Sequence, residues 1–242
     1  MKPLVFIPTY NEKDNVGRMC KETLALGTPL DLLFMDDNSP DGTGDALDAL
    51  AREHPELKVI HREEKLGIGS AHLAGIAYAY DRGYQTLVTM DCDFTHSPTL
   101  IHEFLTLVRS ANVVVGSRYM RPDSLPDWTI ARKVLTIGGH FLTQRLLGVP
   151  QDATSAFRAY DLTVIPREAF DVVLSRGYSF FFESLLVLKE NGFTIREATA
   201  TLSARTHGQS KMNVNEIRRS AEALLTLFWA RKTNPERFRI AR

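Results

Sequence analysis

The chain has 242 residues, 44% of them hydrophobic and 24% charged, which is enough for one sizeable α/β domain with a true core. A formal net charge of zero gives no footing for wholesale nucleic-acid binding, and the two cysteines, Cys20 and Cys92, supply neither a disulfide framework nor a zinc spacing, as expected of a reducing cytoplasm. No run approaches the roughly 20 apolar residues of a membrane-spanning helix, and the opening Met-Lys-Pro-Leu-Val-Phe-Ile-Pro is too short an apolar stretch for a signal peptide, so any membrane contact is expected to be peripheral.

In chain order, the first strand is predicted at Leu4 to Pro8 and the first helix at about Asn15 to Leu26. Strands at Asp31 to Met35 and Lys58 to His61 flank a helix at Gly44 to His54, and a helix at Ile68 to Arg82 leads into a strand at Thr86 to Met90. The next helix, Ser97 to Arg109, opens on a serine cap with Pro98 at the first helical position and precedes a strand at Val113 to Gly116. This alternation predicts an α/β fold: a mostly parallel central sheet with helices on both faces, in a single domain over 1–230. From Arg118 to Trp128 the chain turns polar and proline-bearing, as exposed loops do. Ile130 to Leu147 then reads as a helix carrying Val134, Ile137, Phe141 and Leu142, either packed on the core or interfacial. Finally, Ala223-Leu-Leu-Thr-Leu-Phe-Trp229 precedes a basic tail, 231–242, with Arg231, Lys232, Arg237, Arg239 and Arg242 against Glu236. Taken alone the tail reads as a solvated terminus; beside an apolar, aromatic segment it could also rest on anionic lipid.

Acidic residues recur after three of the predicted strands. Asp91-Cys92-Asp93 closes the Thr86 to Met90 run, and residues two apart on a strand share a face, so both carboxylates can converge on one point. Two hard oxygen donors at the carboxyl edge of a parallel sheet suit Mg²⁺ or Mn²⁺, especially an ion already carrying phosphate oxygens. The plain alternative is a strand ending in two solvated acids, with Cys92 a small filler between them. The first strand leads into Pro8-Thr9-Tyr10-Asn11-Glu12 and the second into Asp36-Asp37-Asn38-Ser39-Pro40-Asp41-Gly42-Thr43. Turn chemistry alone would account for Asn38 to Gly42, but not for acids at three strand ends that face one crevice. Carboxylates for ribose or base edges, an aromatic ring for stacking and a metal against a diphosphate are what a nucleotide requires. The common phosphate cradles are missing: there is no Gly-x-x-x-x-Gly-Lys-Ser/Thr, and Gly67-Ile-Gly69 fails as a dinucleotide fingerprint because His72 stands at the third glycine position. Phosphate charge then falls to a metal and to cations such as Arg118, Arg132 and the cluster from Arg205 to Lys211.

These motifs resemble the inverting family 2 glycosyltransferases of GT-A fold and, within them, the dolichyl-phosphate (polyprenyl-phosphate) mannose synthase branch. The likeness runs from Ile7-Pro-Thr-Tyr-Asn-Glu12 through Asp36 to Thr43, Lys65-Leu-Gly-Ile-Gly69 and Asp91-x-Asp93-Phe-x-His96-x-Pro98. It continues in Gly116-Ser-Arg-Tyr119, Phe141-Leu-Thr-Gln144, Asp152-x-Thr154-Ser-x-Phe157-Arg158, Gly177-Tyr178 and Arg205-x-x-Gly208-x-Ser210-Lys211, the last pointing to the lipid-phosphate branch. The resemblance implies that Pro8, Tyr10, Glu12 and Asp37, with Asp91, Cys92, Arg205 and Lys211, hold the nucleotide sugar. It implies that Asp91 and Asp93 hold Mg²⁺ or Mn²⁺, and that Arg118, Arg132 and Thr136 meet the acceptor phosphate. Where some relatives have a further metal-binding glutamine, this chain has Thr95, which leaves the third protein ligand open.

The implied reaction moves mannose from GDP-mannose to a polyprenyl (dolichyl-type) phosphate, with Asp93, Arg118, Arg132, Arg205 and Lys211 as its catalytic set. A phosphate monoester, with a second pKa of about 6, is already an anion, so such an acceptor needs positioning cations and no catalytic base. Alternatives are a UDP-sugar donor, a family 2 transferase acting on a sugar hydroxyl with Glu183 as base, and a nucleotide-sugar binding subunit without turnover. A lipid acceptor also implies peripheral attachment to the cytoplasmic face of a membrane, through 130–147 and the basic end or through a separate membrane-anchoring subunit.

Overall fold

Leu4–Thr9 forms the first strand, β1, and all six of its residues are buried, as expected of a strand covered on both faces. Its side chains alternate: Leu4 and Phe6 join one hydrophobic cluster, Val5 and Ile7 the other. The computed structural model describes residues 2–121, 130–200 and 214–240. Within them the strands after β1 are β2 (Asp31–Asp36), β3 (Leu57–His61), β4 (Thr86–Thr89), β5 (Val113–Ser117), β6 (Arg158–Asp161) and β7 (Ile195–Thr199). The helices are α1 (Lys13–Leu24), α2 (Thr43–Glu53), α3 (Ile68–Asp81), α4 (Ile101–Leu107), α5 (Ile130–Leu147), α6 (Glu168–Asp171), α7 (Phe180–Glu190) and α8 (Val214–Thr233).

The seven strands form one sheet in the order β3-β2-β1-β4-β6-β5-β7. Four of the six pairings are parallel, but β6 runs antiparallel to both β4 and β5, leaving β1 to β4 and β5 with β7 as the parallel parts. From β1 the chain builds outward through β2 to β3, then returns to place β4 on the other side of β1. The order therefore reverses between β1 and β4, and a crevice opens beyond their carboxyl ends.

The five predicted strands are present with ends shifted by a residue or so, and the 130–147 helix has the expected bounds. The segment predicted as one helix from Ser97 is a 3₁₀ turn, Pro98–Leu100, running into α4, with the Ser97 hydroxyl accepting the Thr99 N–H as its cap. The tail differs from a solvated terminus. α8 carries through residue 231 to Thr233, Phe238 is 1% exposed, and the Asn191 side chain holds both the Phe238 carbonyl and the Ile240 N–H. Arg231 and Arg237 pair with Glu190 and Glu183 of α7. The described part of the tail is thus docked on the domain, while Arg242 lies outside the described residues.

Candidate active site

The first two strand-end loops are braced against each other before any ligand is considered. Asn11 N–H donates to the Ser39 hydroxyl at 2.9 Å, Glu12 N–H to Thr43 Oγ1 at 3.0 Å and Lys13 N–H to Asp41 Oδ2 at 3.2 Å. Buried Asp36 accepts from the Thr9 hydroxyl and from both the N–H and hydroxyl of Ser39. The turn residues between Asn38 and Thr43 therefore position the β1 loop as well as punctuating the chain.

Among the described residues, the non-glycine positions with positive φ are Asn11 at 54°, Asn38 at 56° and Phe94 at 59°. Each adjoins an expected ligand residue: Asn11 lies between Tyr10 and Glu12, Asn38 follows Asp37, and Phe94 follows Asp93. Asparagine tolerates the left-handed region, whereas a phenylalanine there is held against its preference at a cost of about 1–3 kcal/mol. Phe94 is buried, and the Arg18 guanidinium lies 4.3 Å from its ring centroid. That backbone reversal turns the chain back immediately after the second aspartate.

These loops enclose a cleft of about 810 Å³ whose lining includes Pro8, Tyr10, Glu12, Asp37, Asp91, Cys92, Asp93 and Arg118. The volume suits a nucleotide-sized ligand. Eight of the sequence-predicted residues thus share one site. Thr136 is not among its lining; it is half-buried on α5 and its carbonyl accepts the Tyr119 hydroxyl at 3.2 Å. Arg205 and Lys211 lie outside the described residues, as do the side chains of Arg132 and Val134.

Asp37 is gripped by Arg62, whose Nε and Nη2 donate to its two carboxylate oxygens at 2.6 and 2.8 Å, while Nη1 donates to Ser70 at 3.0 Å. Burial nonetheless raises the Asp37 pKa, with Arg62 opposing the rise. Lys65 lies 3.7 Å from the Tyr10 ring centroid, over its face. Glu12 Oε2 accepts from Asn15 at 2.7 Å. Behind the lining, Asp152, 0% exposed, takes Arg118 Nε at 2.7 Å, Nη2 at 2.6 Å and the Arg118 backbone N–H at 3.2 Å. Arg118 Nη2 also meets the Thr154 hydroxyl. Burial works against both charges, but their mutual attraction prevails: the Arg118 pKa is raised and that of Asp152 lowered.

The glycines of the failed fingerprint have a packing role. A Cβ at Gly67 would sit 2.6 Å from the Arg176 carbonyl oxygen, and one at Gly69 2.5 Å from Phe180 Cβ, so both allow α3 to start hard against the segment entering α7. Arg158 is another residue to which the sequence assigned no role. Fully buried, it donates to the carbonyls of Ala153, Ser155 and Phe181 and to the Ser184 hydroxyl, stapling the 153–155 wall of the cleft to α7.

Asp91 and Asp93 fit a divalent metal by the chemistry of their donors. Asp93 Oδ1 accepts the Thr95 N–H at 3.0 Å and the Thr95 hydroxyl at 2.6 Å, so Thr95 orients Asp93. No group of three His, Cys, Asp or Glu side chains that could hold a metal occurs among the described residues. His96 also lines the cleft; burial first, then Arg118, pushes its pKa down to about 4, leaving the imidazole neutral near pH 7.

Acids at three strand ends across a topological switch, facing a fixed guanidinium, make a site for phosphorylated, nucleotide-bearing substrates. Residues 4–173 match the model of glycosyl transferase family 2, and the chain belongs to that family. It is 35% identical over 214 residues to the undecaprenyl-phosphate mannosyltransferase of Micrococcus luteus, covering 88% of each protein. It is 36% identical over 220 residues to the polyprenol monophosphomannose synthase of Mycolicibacterium smegmatis, covering 90% of this chain and 83% of that one. Among solved structures, mannosyl-3-phosphoglycerate synthase from Rubrobacter xylanophilus matches with a TM-score of 0.68 at 19% identity, over 98% of this chain and 75% of that one, a likeness of GT-A fold.

Proposed function

We propose that this glycosyltransferase moves mannose from GDP-mannose to a polyprenyl phosphate, inverting the anomeric configuration. The observation that carries the reading is the shared cleft, which Asp91, Asp93 and the Asp152-anchored Arg118 line together. The two relatives named for polyprenyl-phosphate mannosyl transfer support it.

Pro8, Tyr10, Glu12 and Asp37 would hold the nucleoside. Asp91 and Asp93 would hold Mg²⁺ or Mn²⁺, which when bound offsets the charge of the donor diphosphate. Arg118 would present the edge of its guanidinium turned away from Asp152 to the acceptor phosphate, with Arg132 and Thr136 completing that subsite and Arg205 and Lys211 meeting the diphosphate. An oxygen of the acceptor phosphate attacks the anomeric carbon; that C–O bond forms as the bond to the diphosphate breaks, and GDP leaves with the electron pair. No proton has to move, because nucleophile and leaving group are both anions. Cations fixed before reaction, such as Arg118, need not reorganise as charge shifts between the two phosphates.

The rival reading, a base-assisted attack by a sugar hydroxyl, has lost its candidate. Glu183 is 0% exposed, absent from the cleft lining, and engaged by Ser175 N–H and Arg237. A lipid acceptor also gives a use to apolar residues left exposed on two helices that pack together: Ile137, Phe141 and Leu142 on α5, Leu225 and Trp229 on α8. No described helix is long and apolar enough to cross a membrane, so these faces would rest on it. Co-sedimentation with anionic vesicles should fall sharply in Phe141→Ser/Trp229→Ser; unchanged binding would count against that attachment.

The deciding experiment is transfer of labelled sugar from GDP-mannose into an organic-extractable polyprenyl phosphate with Mg²⁺ or Mn²⁺, comparing wild type with Asp93→Ala. A metal-dependent lipid product lost in the variant supports the reading. Product from a UDP-sugar alone would change the donor, and no product with any lipid phosphate would overturn it.

A further inference from the structure

We propose that Tyr119 and His140 are positioning residues that lock α5 to the Arg118 loop, closing a ring of contacts that sets where an acceptor phosphate lies relative to the Arg118 guanidinium. The inference rests on the reading of α5 as the acceptor side of the cleft.

Tyr119 directly follows Arg118 at the end of β5. Its ring stacks on His140 with centroids 3.8 Å apart and planes within 12°. Its hydroxyl donates to the Thr136 carbonyl at 3.2 Å, one helical turn before His140. From His140 the contacts run on: Gln144 Nε2 lies 2.9 Å from His140 Nε2 and 2.7 Å from the Pro150 carbonyl. Because a carbonyl only accepts, the Gln144 atom is its amino group, and His140 Nε2 must accept the other N–H. The imidazole is therefore neutral with its proton on Nδ1. Burial lowers its pKa in the same sense and pushes the Tyr119 phenol up to about 12, which keeps that hydroxyl a donor. Two residues beyond Pro150, Asp152 grips Arg118, and Glu197 of β7 accepts the Asp152 N–H at 2.9 Å. The ring then closes through the Arg118–Tyr119 peptide bond.

What makes α5 need such a fastening lies between its two attachment points. Gly138 and Gly139 sit inside the helix, and a Cβ at either would meet nothing within 4 Å, so packing against described residues does not require glycine there. Each costs the helix about 1 kcal/mol relative to alanine. Thr136 and His140 flank this weak point, and Tyr119 holds both sides of it. Without the clamp, the turn bearing Thr136 loses its register with Arg118, and small misplacements of a bound reactant are expensive in rate.

The test uses the full chain with GDP-mannose and a short-chain isoprenyl phosphate in detergent, each varied in turn with the other saturating. His140→Ala should raise the acceptor KM by about tenfold and leave the donor KM within about twofold. His140→Phe, which keeps a stacking ring, should recover most of the loss, and Tyr119→Phe, which removes only the hydroxyl, should cost about threefold. Equal rises in both KM values, or a folded His140→Ala with the wild-type acceptor KM, would overturn the proposal. Hydrogen exchange judges the clamp independently of the acceptor's identity. Amides of 136–147 and of 151–152 should exchange faster in His140→Ala, and unchanged exchange there would overturn it even if wild type proved to act on a different acceptor.

Discussion

Asp152 holds Arg118 by three hydrogen bonds while being completely buried itself, so the Arg118 guanidinium enters the cleft already oriented. Removing the charge of Asp152 leaves a largely buried cation, 13% exposed at its side chain, without its counter-ion. Breaking a buried pair in this way costs about 3–5 kcal/mol when one partner is deleted, and less for an isosteric amide. Asp152→Asn should therefore lower kcat/KM for the lipid phosphate by about 100-fold while the donor KM stays near wild type, with a Tm drop of several degrees. Full activity of Asp152→Asn would show that Arg118 needs no such anchoring.

Glu183 has the opposite prediction. Its Oε1 takes Arg237 at 2.9 Å and its Oε2 the Ser175 N–H at 2.7 Å, which ties the C-terminal segment and the entry to α7 together. Glu183→Gln should keep transfer to a lipid phosphate within about threefold of wild type and lower stability by about 2 kcal/mol, toward the low end for a buried pair because Arg237 is one-quarter exposed. Urea unfolding alongside the transfer assay separates the two effects. A stable variant with abolished turnover would restore Glu183 as a base.

The parallel core was legible because β1, β2, β4 and β5 are short, near-continuous apolar runs ended by turn residues. The acids that line the cleft were legible for the same reason, since they stand where those runs stop. β6 was not, because a four-residue strand with Ala159 and Tyr160 between an arginine and an aspartate carries too short an apolar signal; only the fold shows that Arg158 is buried and satisfied by carbonyls. β7, Ile195–Thr199, sets two adjacent charged residues, Arg196 and Glu197, in the middle of an edge strand, which breaks the period-two pattern and reads equally as loop. The anchors of the site were missed for a related reason. Arg62, Asp152 and Tyr119 act on neighbours across the fold, 25, 34 and about 20 residues away in sequence, where no local spacing reports the contact.

Arg62 carries the next prediction. Its fork fixes both oxygens of Asp37 and is itself tied to Ser70 near the start of α3, so the carboxylate that lines the cleft has one orientation. Arg62→Leu leaves Asp37 buried and uncompensated, and burial already raises its pKa, so the variant carboxyl should take up a proton more readily. Isothermal titration with GDP and Mg²⁺ should show affinity weakened by about 30-fold or more, the weakening larger at pH 6 than at pH 8. The same affinity as wild type at both pH values would remove Arg62 from the donor site.

His72 sits beneath the cleft among Phe6, Phe180 and Phe181, with ring centroids 5.0–5.5 Å away and both ring nitrogens buried without a hydrogen-bond partner among the described residues. Burial, and then Arg158, pushes its pKa from the ordinary 6.5 down to about 3. Above pH 6.5 neither the folded nor the unfolded chain protonates this ring, so it adds no pH dependence to stability there. As pH falls from 6.5 toward 3, the unfolded chain binds a proton that the folded chain refuses, and stability declines by up to about 1.4 kcal/mol per pH unit from this group alone. His72→Phe keeps an aromatic ring in the stack and removes both the unpaired nitrogens and the proton linkage. Removing the unpaired nitrogens should make the variant the more stable already near pH 7.5, by about 1 kcal/mol, and the proton linkage should widen that margin by about 2 kcal/mol near pH 4.5. A difference that does not change with pH would mean that His72 takes its proton as readily folded as unfolded, through a partner such as a buried water.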